Sequence, residues 1–510
     1  MIAACSRQKQ EIDPLTVFRY NEHANVTSLD PAFAKDQRNI WVCNLLYNGL
    51  VKLNNKLEVT PDLASHWEID STATVYTFNL KKDVFFNDAF AKARTVTAQD
   101  FKYSLERLTD PKIASPGAWV MSNVKTIKAI APLELQITLK QPFPAFLGLL
   151  TMKYCSVVPE ASTDLREEPI GTGPFYLKRW QENVKMVLRK NEIYFEKDEK
   201  GASLPYLESV AITFKTDKQS EFLEFAQGNL DFINAIDPSY KDELLTTDGE
   251  LKGKYTATVN LVKAPFLNTE YLGLKIDSKT PELQSKKLRQ AINLGFDRNK
   301  MIKYLRNNIG TPAHHGFIPR GIPAGGIATG YTYDPEKAKS LVTAYSFQTG
   351  DHDPSIRIST GANYLDLCEF IQKELQKIGV QVQIDVMTPS TLRQARKVGQ
   401  LDIFRSSWIA DYPDAENYLS LFYSKNFAPN GPNYTHFSDA TYDSFYEQAL
   451  TINDPEIRND LYKKMDSIII EEAPIVPLYY DQSVRFVSKK VKNLESNAVN
   501  MLDLTRVYKK

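Results

Sequence analysis

Asp411 and Asp414 place two carboxylates within four residues, and paired acids are the usual equipment for cleaving a glycosidic bond. Their spacing works against that use, because acids set in one helix start are poorly placed to flank a bond. Asp411, Pro413, Asp414 and Glu416 read equally well as the acidic first turn of a helix. The six histidines offer little more: His314 and His315 are adjacent and point apart, while His23, His66, His352 and His436 are scattered, so no zinc site is expected. Gly325 and Gly330 have phosphate-loop spacing, but Tyr331 stands where the lysine belongs, and a surface turn is the better reading. Gly171, Gly173 and Pro174 form another turn. With no G-x-S-x-G, H-E-x-x-H or G-x-G-x-x-G motif, no catalytic residue, metal ligand or cofactor is expected, and the chain does not read as an enzyme.

Composition narrows the remaining classes. The 62 basic and 62 acidic side chains among 510 residues cancel, which leaves no electrostatic footprint for nucleic acid. A hydrophobic content of 43% supports packed cores, and the length suits about three structural units. No run approaches the ~18 apolar residues of a spanning helix. The four cysteines, Cys5, Cys43, Cys155 and Cys368, are too few for a disulfide scaffold and lack a C-x-x-C pair. Cys5 follows Ile2, Ala3 and Ala4 and precedes Ser6, which resembles the end of a bacterial lipoprotein signal, although the charged and long apolar regions of such a signal are missing. Residues 1–13 then read as signal remnant and polar tether, with Cys5 as the lipidation candidate and the membrane reached through a lipid anchor.

The elements that must position any site follow from periodicity. Tyr76, Phe78 and Leu80 alternate with polar residues, as do Leu135, Ile137 and Leu139, so both stretches read as half-buried strands. Between them Thr97 to Asp100 resembles a capping box, ahead of Phe101, Leu105 and Leu108 on one helical face. Val184–Leu188 and Val210–Phe214 read as strands and Phe222–Gly228 as helix. Leu288–Leu305 gives two short helices, with Asp297 capping the second. Cys368, Ile371, Leu375 and Ile378 form a helical stripe ended by Gly379, and Val380 to Val386 then alternate as a strand. A late helix carries Ile457, Leu461, Met465 and Ile468 up to Pro474, and Ile475–Tyr480 reads as a strand. The alternation of helices and strands predicts an α/β class.

Several blocks carry a resemblance. PDLASHWEIDSTATVYTFNLKKDVFFND at Pro61 to Asp88 and TVTAQDFKYSLERL at Thr95 to Leu108 resemble the periplasmic oligopeptide- and dipeptide-binding proteins, the extracellular solute-binding family 5 that serves ABC importers. SLDPAFAKDQRNIWVCNLLYNGL at Ser28 to Leu50, EEPIGTGPFYLKRW at Glu167 to Trp180, KKLRQAINLGFDRNKMI at Lys286 to Ile302 and LDIFRSSWIADYPDAENYL at Leu401 to Leu419 are similar to family blocks in the family's order. The likeness runs from about Thr27 to Tyr508. It implies a two-lobed periplasmic-binding-protein fold of type II, in the large cluster with an extra inserted domain, closing about two crossing strands. The implied domain I is discontinuous, 14–52 plus 165–263 plus 480–510. Domain II is inserted at 53–164, and domain III, the second lobe, spans 264–479.

What the resemblance implies for function is a monomeric receptor, periplasmic or at the cell surface, that captures short peptides and delivers them to a membrane permease and its ATPase. The same fold also serves non-peptide solutes such as a metal chelate, haem, an opine or an oligosaccharide. A free peptide presents an ammonium, a carboxylate and a backbone that pairs as a strand, so its site needs a fixed carboxylate, a cation and strand edges. Trp408, Ile409, Ala410, Asp411 and Tyr412 match the family segment whose aspartate meets the ammonium, which assigns Asp411 that role. Arg405 and Arg396 match the arginines that meet the peptide carboxylate, a task suited to a planar guanidinium fork. Asn363 stands where the oligopeptide pattern has a histidine that reaches longer ligands, and Ile409 replaces one cysteine of the family's disulfide. Thr269, Glu270 and Tyr271 are expected to offer backbone pairing or to serve as a plain hinge strand, and Trp119 to wall a side-chain pocket or to lie in a core.

Overall fold

A computed structural model describes residues 13–510, apart from 88–93, 161, 163, 236, 238 and 239. Cys5 and nearly all of the expected tether lie outside the described residues. Strand β1 (Val17–Asn21) buries Phe18 and Tyr20 almost completely. Asp36 caps helix α1 (Gln37–Leu46) by accepting the Asn39 N–H, and the helix sends Trp41, Val42, Leu45 and Leu46 into the same core. Gly171 and Gly173 do more than turn the chain: a Cβ on Gly171 would lie 1.9 Å from the Leu46 carbonyl oxygen, so only glycine lets this segment pass the end of α1.

An antiparallel sheet follows, made of β2 (Ala64–Ile69), β3 (Val75–Leu80), β4 (Val124–Ala131) and β5 (Glu134–Leu139) in the order β2-β3-β5-β4. Strict alternation buries Tyr76, Phe78 and Leu80 on β3 and Leu135, Ile137 and Leu139 on β5. Helix α2 (Ala98–Glu106) contributes Phe101 and Leu105 to that core; its capping box is formed by Thr97 and Asp100, and Leu108 follows in a 3-10 turn.

The remaining sheet strands are β6 (Phe175–Gln181), β7 (Lys185–Lys190), β8 (Ser209–Thr213), β9 (Phe232–Asn234), β10 (Val259–Leu274), β11 (Ser355–Gly361), β12 (Gln381–Met387), β13 (Ile403–Ile409) and β14 (Ile475–Ser488). Together with β1 they run in the order β12-β11-β13-β10-β14-β9-β1-β8-β7-β6. A two-residue strand at Thr311–Pro312 pairs with β14 off this path, completing eleven strands among the described residues. Strands β10 and β14 are long enough to belong to both lobes. Residues 259–265 pair with 482–488 in the first lobe and 269–273 with 475–480 in the second, with a register shift between Pro265 and Thr269. That break in the ladder is the crossing point.

The second lobe is built largely as its periodicity predicts. Asp297 accepts the Asn299 and Lys300 N–H groups at the head of the helix Arg298–Arg306. The helix Leu365–Gln376 buries Cys368, Ile371 and Leu375, Gly379 turns the chain at φ +89°, and β12 follows. Two details differ. The late helix spans Pro455–Glu472 and ends at Ala473 in the left-handed region, one residue ahead of Pro474, while Ile457 near its start is 53% exposed and outside the core. The strand that follows continues past Tyr480 to Ser488, because its second half pairs in the other lobe. Cys43, Cys155 and Cys368 are buried free thiols, and burial pushes the Cys368 thiol up to about 11.

Asp466 on the late helix is fully buried and accepts the Phe317 N–H, and burial pushes its carboxyl up to about 7. A carboxyl whose pKa is raised on folding binds protons more tightly in the folded state, so its stabilising contribution is full below about pH 4 and is lost as pH rises towards 7. Asp466→Asn is therefore expected to flatten the fall in urea midpoint between pH 4 and 7. An unchanged slope would assign the titration elsewhere.

Candidate functional site

Two cavities open between the lobes. One, of 860 Å³, has Trp119, Phe143 and Tyr154 on the first lobe facing Trp408, Asp411 and Tyr412 on the second. Trp408 is near the end of β13, where Ala410 N–H bonds to the Leu267 carbonyl and fixes the chain. Asn417 then holds both functional candidates with one oxygen, accepting the Trp408 indole N–H at 2.9 Å and the Asp411 N–H at 3.1 Å. Asp411 lies exposed on the wall of this cavity. Packing around the carboxyl raises its pKa from the ordinary range, a bond from Asn417 opposes the rise, and among the described residues no ion pair is made to it.

The helix-start reading is satisfied by a different acid. Asp414 accepts the Glu416 N–H at 2.9 Å and the Tyr462 hydroxyl at 2.8 Å, with Arg458 3.5 Å away. Asp411 thus remains unused by the fold. Glu416 is buried and accepts the hydroxyls of Tyr412 and Tyr446. Tyr412 itself joins the first-lobe core beside Gly148, so the two lobes touch at this point.

Arg405 and Arg396 are not brought together. Arg405 is paired with Glu270, and its guanidinium lies 3.1 Å from the centre of the Tyr364 ring. Its Nε–H is buried without an acceptor. Arg396 donates to Ser406, the next residue along β13 and therefore on its other face, and stacks 4.4 Å from the Tyr434 ring. Neither arginine lines the Asp411 cavity. Asn363 lines the second cavity, of 610 Å³, with Tyr364, Arg306 and Asp481. There Arg306 bonds Asp481 at 3.0 Å and lies over the Tyr479 ring at 4.4 Å.

Two expectations change. Thr269, Glu270 and Tyr271 cannot offer free backbone to a ligand strand, because β13 takes one edge of this segment and β14 the other. Instead the Thr269 hydroxyl bonds the Phe317 carbonyl, and Glu270, whose pKa burial raises against the pull of Arg405, serves as an internal counterion. Trp119 is 42% exposed and faces the cavity, so the core alternative for it falls away. Glu416, read from sequence only as a helix-start acid, and Asn417, Arg306 and Asp481, not singled out at all, were missed as lining residues. The first two share the turn of Asp411 and could have been found by that proximity; Arg306 ends a helix with nothing local to mark it. Among the described residues no group of His, Cys, Asp or Glu could hold a metal ion, and no helix is long and apolar enough to cross a membrane.

The family profile described as "Bacterial extracellular solute-binding proteins, family 5 Middle" matches residues 58–430. The glutathione-binding protein GsiB of Salmonella typhimurium is 27% identical over 482 residues, covering 92% of this chain and 90% of its own. Among solved structures, the ABC transporter-associated periplasmic binding protein DppA from Helicobacter pylori, in complex with the peptide STSA, superposes with a TM-score of 0.80 at 25% identity, covering 97% of this chain and 98% of that one. NikZ from Campylobacter jejuni, in complex with Ni(L-His), has the same fold with a TM-score of 0.75 at 21% identity and covers 97% of each chain.

Proposed function

Because the chain belongs to the family 5 bacterial extracellular solute-binding proteins, we propose that the solute it captures for its ABC importer is a short peptide, of about two to five residues. The observation that supports this reading is Asp411, a carboxylate on the wall of an interlobe cavity that no cation pairs with among the described residues. A peptide ammonium supplies the missing charge, and Trp408, Tyr412 and Trp119 give the first residue apolar walls. At the other end we assign the ligand carboxylate to Arg405, whose buried Nε–H lacks an acceptor and becomes reachable once its packing against Glu270 and Tyr364 rearranges. Arg396 keeps a similar unused Nε–H, and Asn363 in the second cavity sets how far a longer ligand extends.

Closure about the β10–β14 crossing brings the walls together, and preference of the ligand for the closed state is what a permease reads. Cys5 provides the lipid anchor in this scheme, and one chain suffices for binding. Native mass spectrometry of the protein as purified, followed by calorimetry with a free tripeptide and its N-acetyl and C-amide forms, tests the reading. Co-purifying masses reducible to amino acids, and heat lost on acetylation and reduced on amidation, are the expected results. A single sharp non-peptide mass, or equal binding of the acetylated and free forms, would overturn it in favour of a metal chelate, haem, opine or oligosaccharide.

A further inference from the structure

Asp411 does not face its cavity alone. Glu416 lines the same space, 6% exposed, and its two partners are neutral: the hydroxyls of Tyr412 and Tyr446 satisfy its oxygens without bringing positive charge. Burial raises the pKa of Glu416, the two tyrosine hydroxyls hold it down, and the nearby Asp414 adds a smaller upward push, so an incoming cation favours the carboxylate form. The lining also holds Lys140, but its ammonium is tied to the Ser122 carbonyl at 2.6 Å and forms no ion pair with either acid. Around the two carboxylates stand Trp119, Phe143, Tyr154, Trp408 and Tyr446, whose ring faces attract cations and accept methylene chains. A cavity meant only for a single ammonium needs one carboxylate. Here two occupy an aromatic enclosure with room for a long side chain.

We infer that Glu416 makes this cavity selective for ligands with a second positive charge beside the ammonium, namely peptides that begin with a basic residue. This rests on the peptide reading and on the role of Asp411 in it. The charge of the basic side chain meets Glu416 while the stem lies along Trp119 and Trp408. Glutamine at position 416 keeps the size and can still bond both tyrosines, so it removes the charge with little change of shape.

Calorimetry with Lys-Ala-Ala and norleucine-Ala-Ala separates the contributions, since the two ligands differ in the side-chain ammonium. Wild-type protein is expected to bind the lysine peptide at least tenfold more tightly than the norleucine peptide, and Glu416→Gln to abolish that ratio. Equal affinity of wild type for both peptides would overturn the inference and leave the peptide reading standing, and that comparison needs no variant to fold. A preference that survives in Glu416→Gln, shown folded by an unchanged thermal transition, would also overturn it. Binding of neither peptide would remove the peptide reading and this inference together.

Discussion

Asp411→Asn is expected to weaken peptide binding by about 3 kcal/mol, more than 100-fold, while leaving the melting temperature within a degree or two. The size follows from what is lost. In the complex the ligand ammonium gives up its water inside a protein-lined cavity, and an amide cannot return the charge. The small effect on stability follows from the free protein, where among the described residues no ion pair is made to Asp411 and it is Asp414 that accepts the Glu416 N–H. Removing an uncompensated carboxylate leaves no stranded partner. Calorimetry with one tripeptide reads the first expectation and a thermal melt the second. Wild-type affinity in the variant would take Asp411 out of the site, and a collapse of stability would make it a structural residue after all.

A second substitution should do the reverse. Lys509 Nζ lies 2.9 Å from Asp231 and 2.8 Å from the Val17 carbonyl, with both side chains at most 5% exposed. Asp231 also accepts the Arg19 N–H at 2.9 Å, which ties the pair to β1. Lys509→Met leaves the Asp231 charge buried with only neutral donors, a situation that costs about 3–5 kcal/mol. The urea midpoint should fall accordingly, while peptide affinity, measured well below that midpoint, stays unchanged. Loss of less than about 1 kcal/mol would mean that water reaches Asp231 and the pair is solvated.

Local pattern made much of the molecule legible. Alternation at Tyr76, Phe78 and Leu80, the capping box at Thr97 and Asp100, and the Gly379 turn are each decided within a few residues, and each stands in the structure as its pattern implies. Ile457 misled because a helical stripe says nothing about where a partner surface begins, and the first turn of that stripe is left 53% exposed at Ile457. The site is harder to read for the same reason. Arg405 and Glu270 are 135 residues apart, and no local signal says that a guanidinium already has a counterion. The double pairing of Thr269 to Tyr271 depends on strands that begin 134 and 206 positions later, at Ile403 and Ile475, so a hinge strand and a binding edge look alike in sequence. The helix-start reading of the acidic run depends on partners far along the chain as well, since Asp414 is held by Tyr462 and Arg458 of the late helix.

The order of the large sheet has a consequence for how the protein is made. Strand β9 lies between β1 and β14, and the Trp41 indole bonds the carbonyl of Asn500, 459 residues further along. Asn44 likewise reaches Leu502. A chain emerging from the ribosome therefore carries an unfinished first core until nearly its last residues are synthesised, since the contacts that close it are the most distant in sequence. In this member of an extracellular solute-binding family the first lobe therefore completes its core only when almost the whole chain has been made.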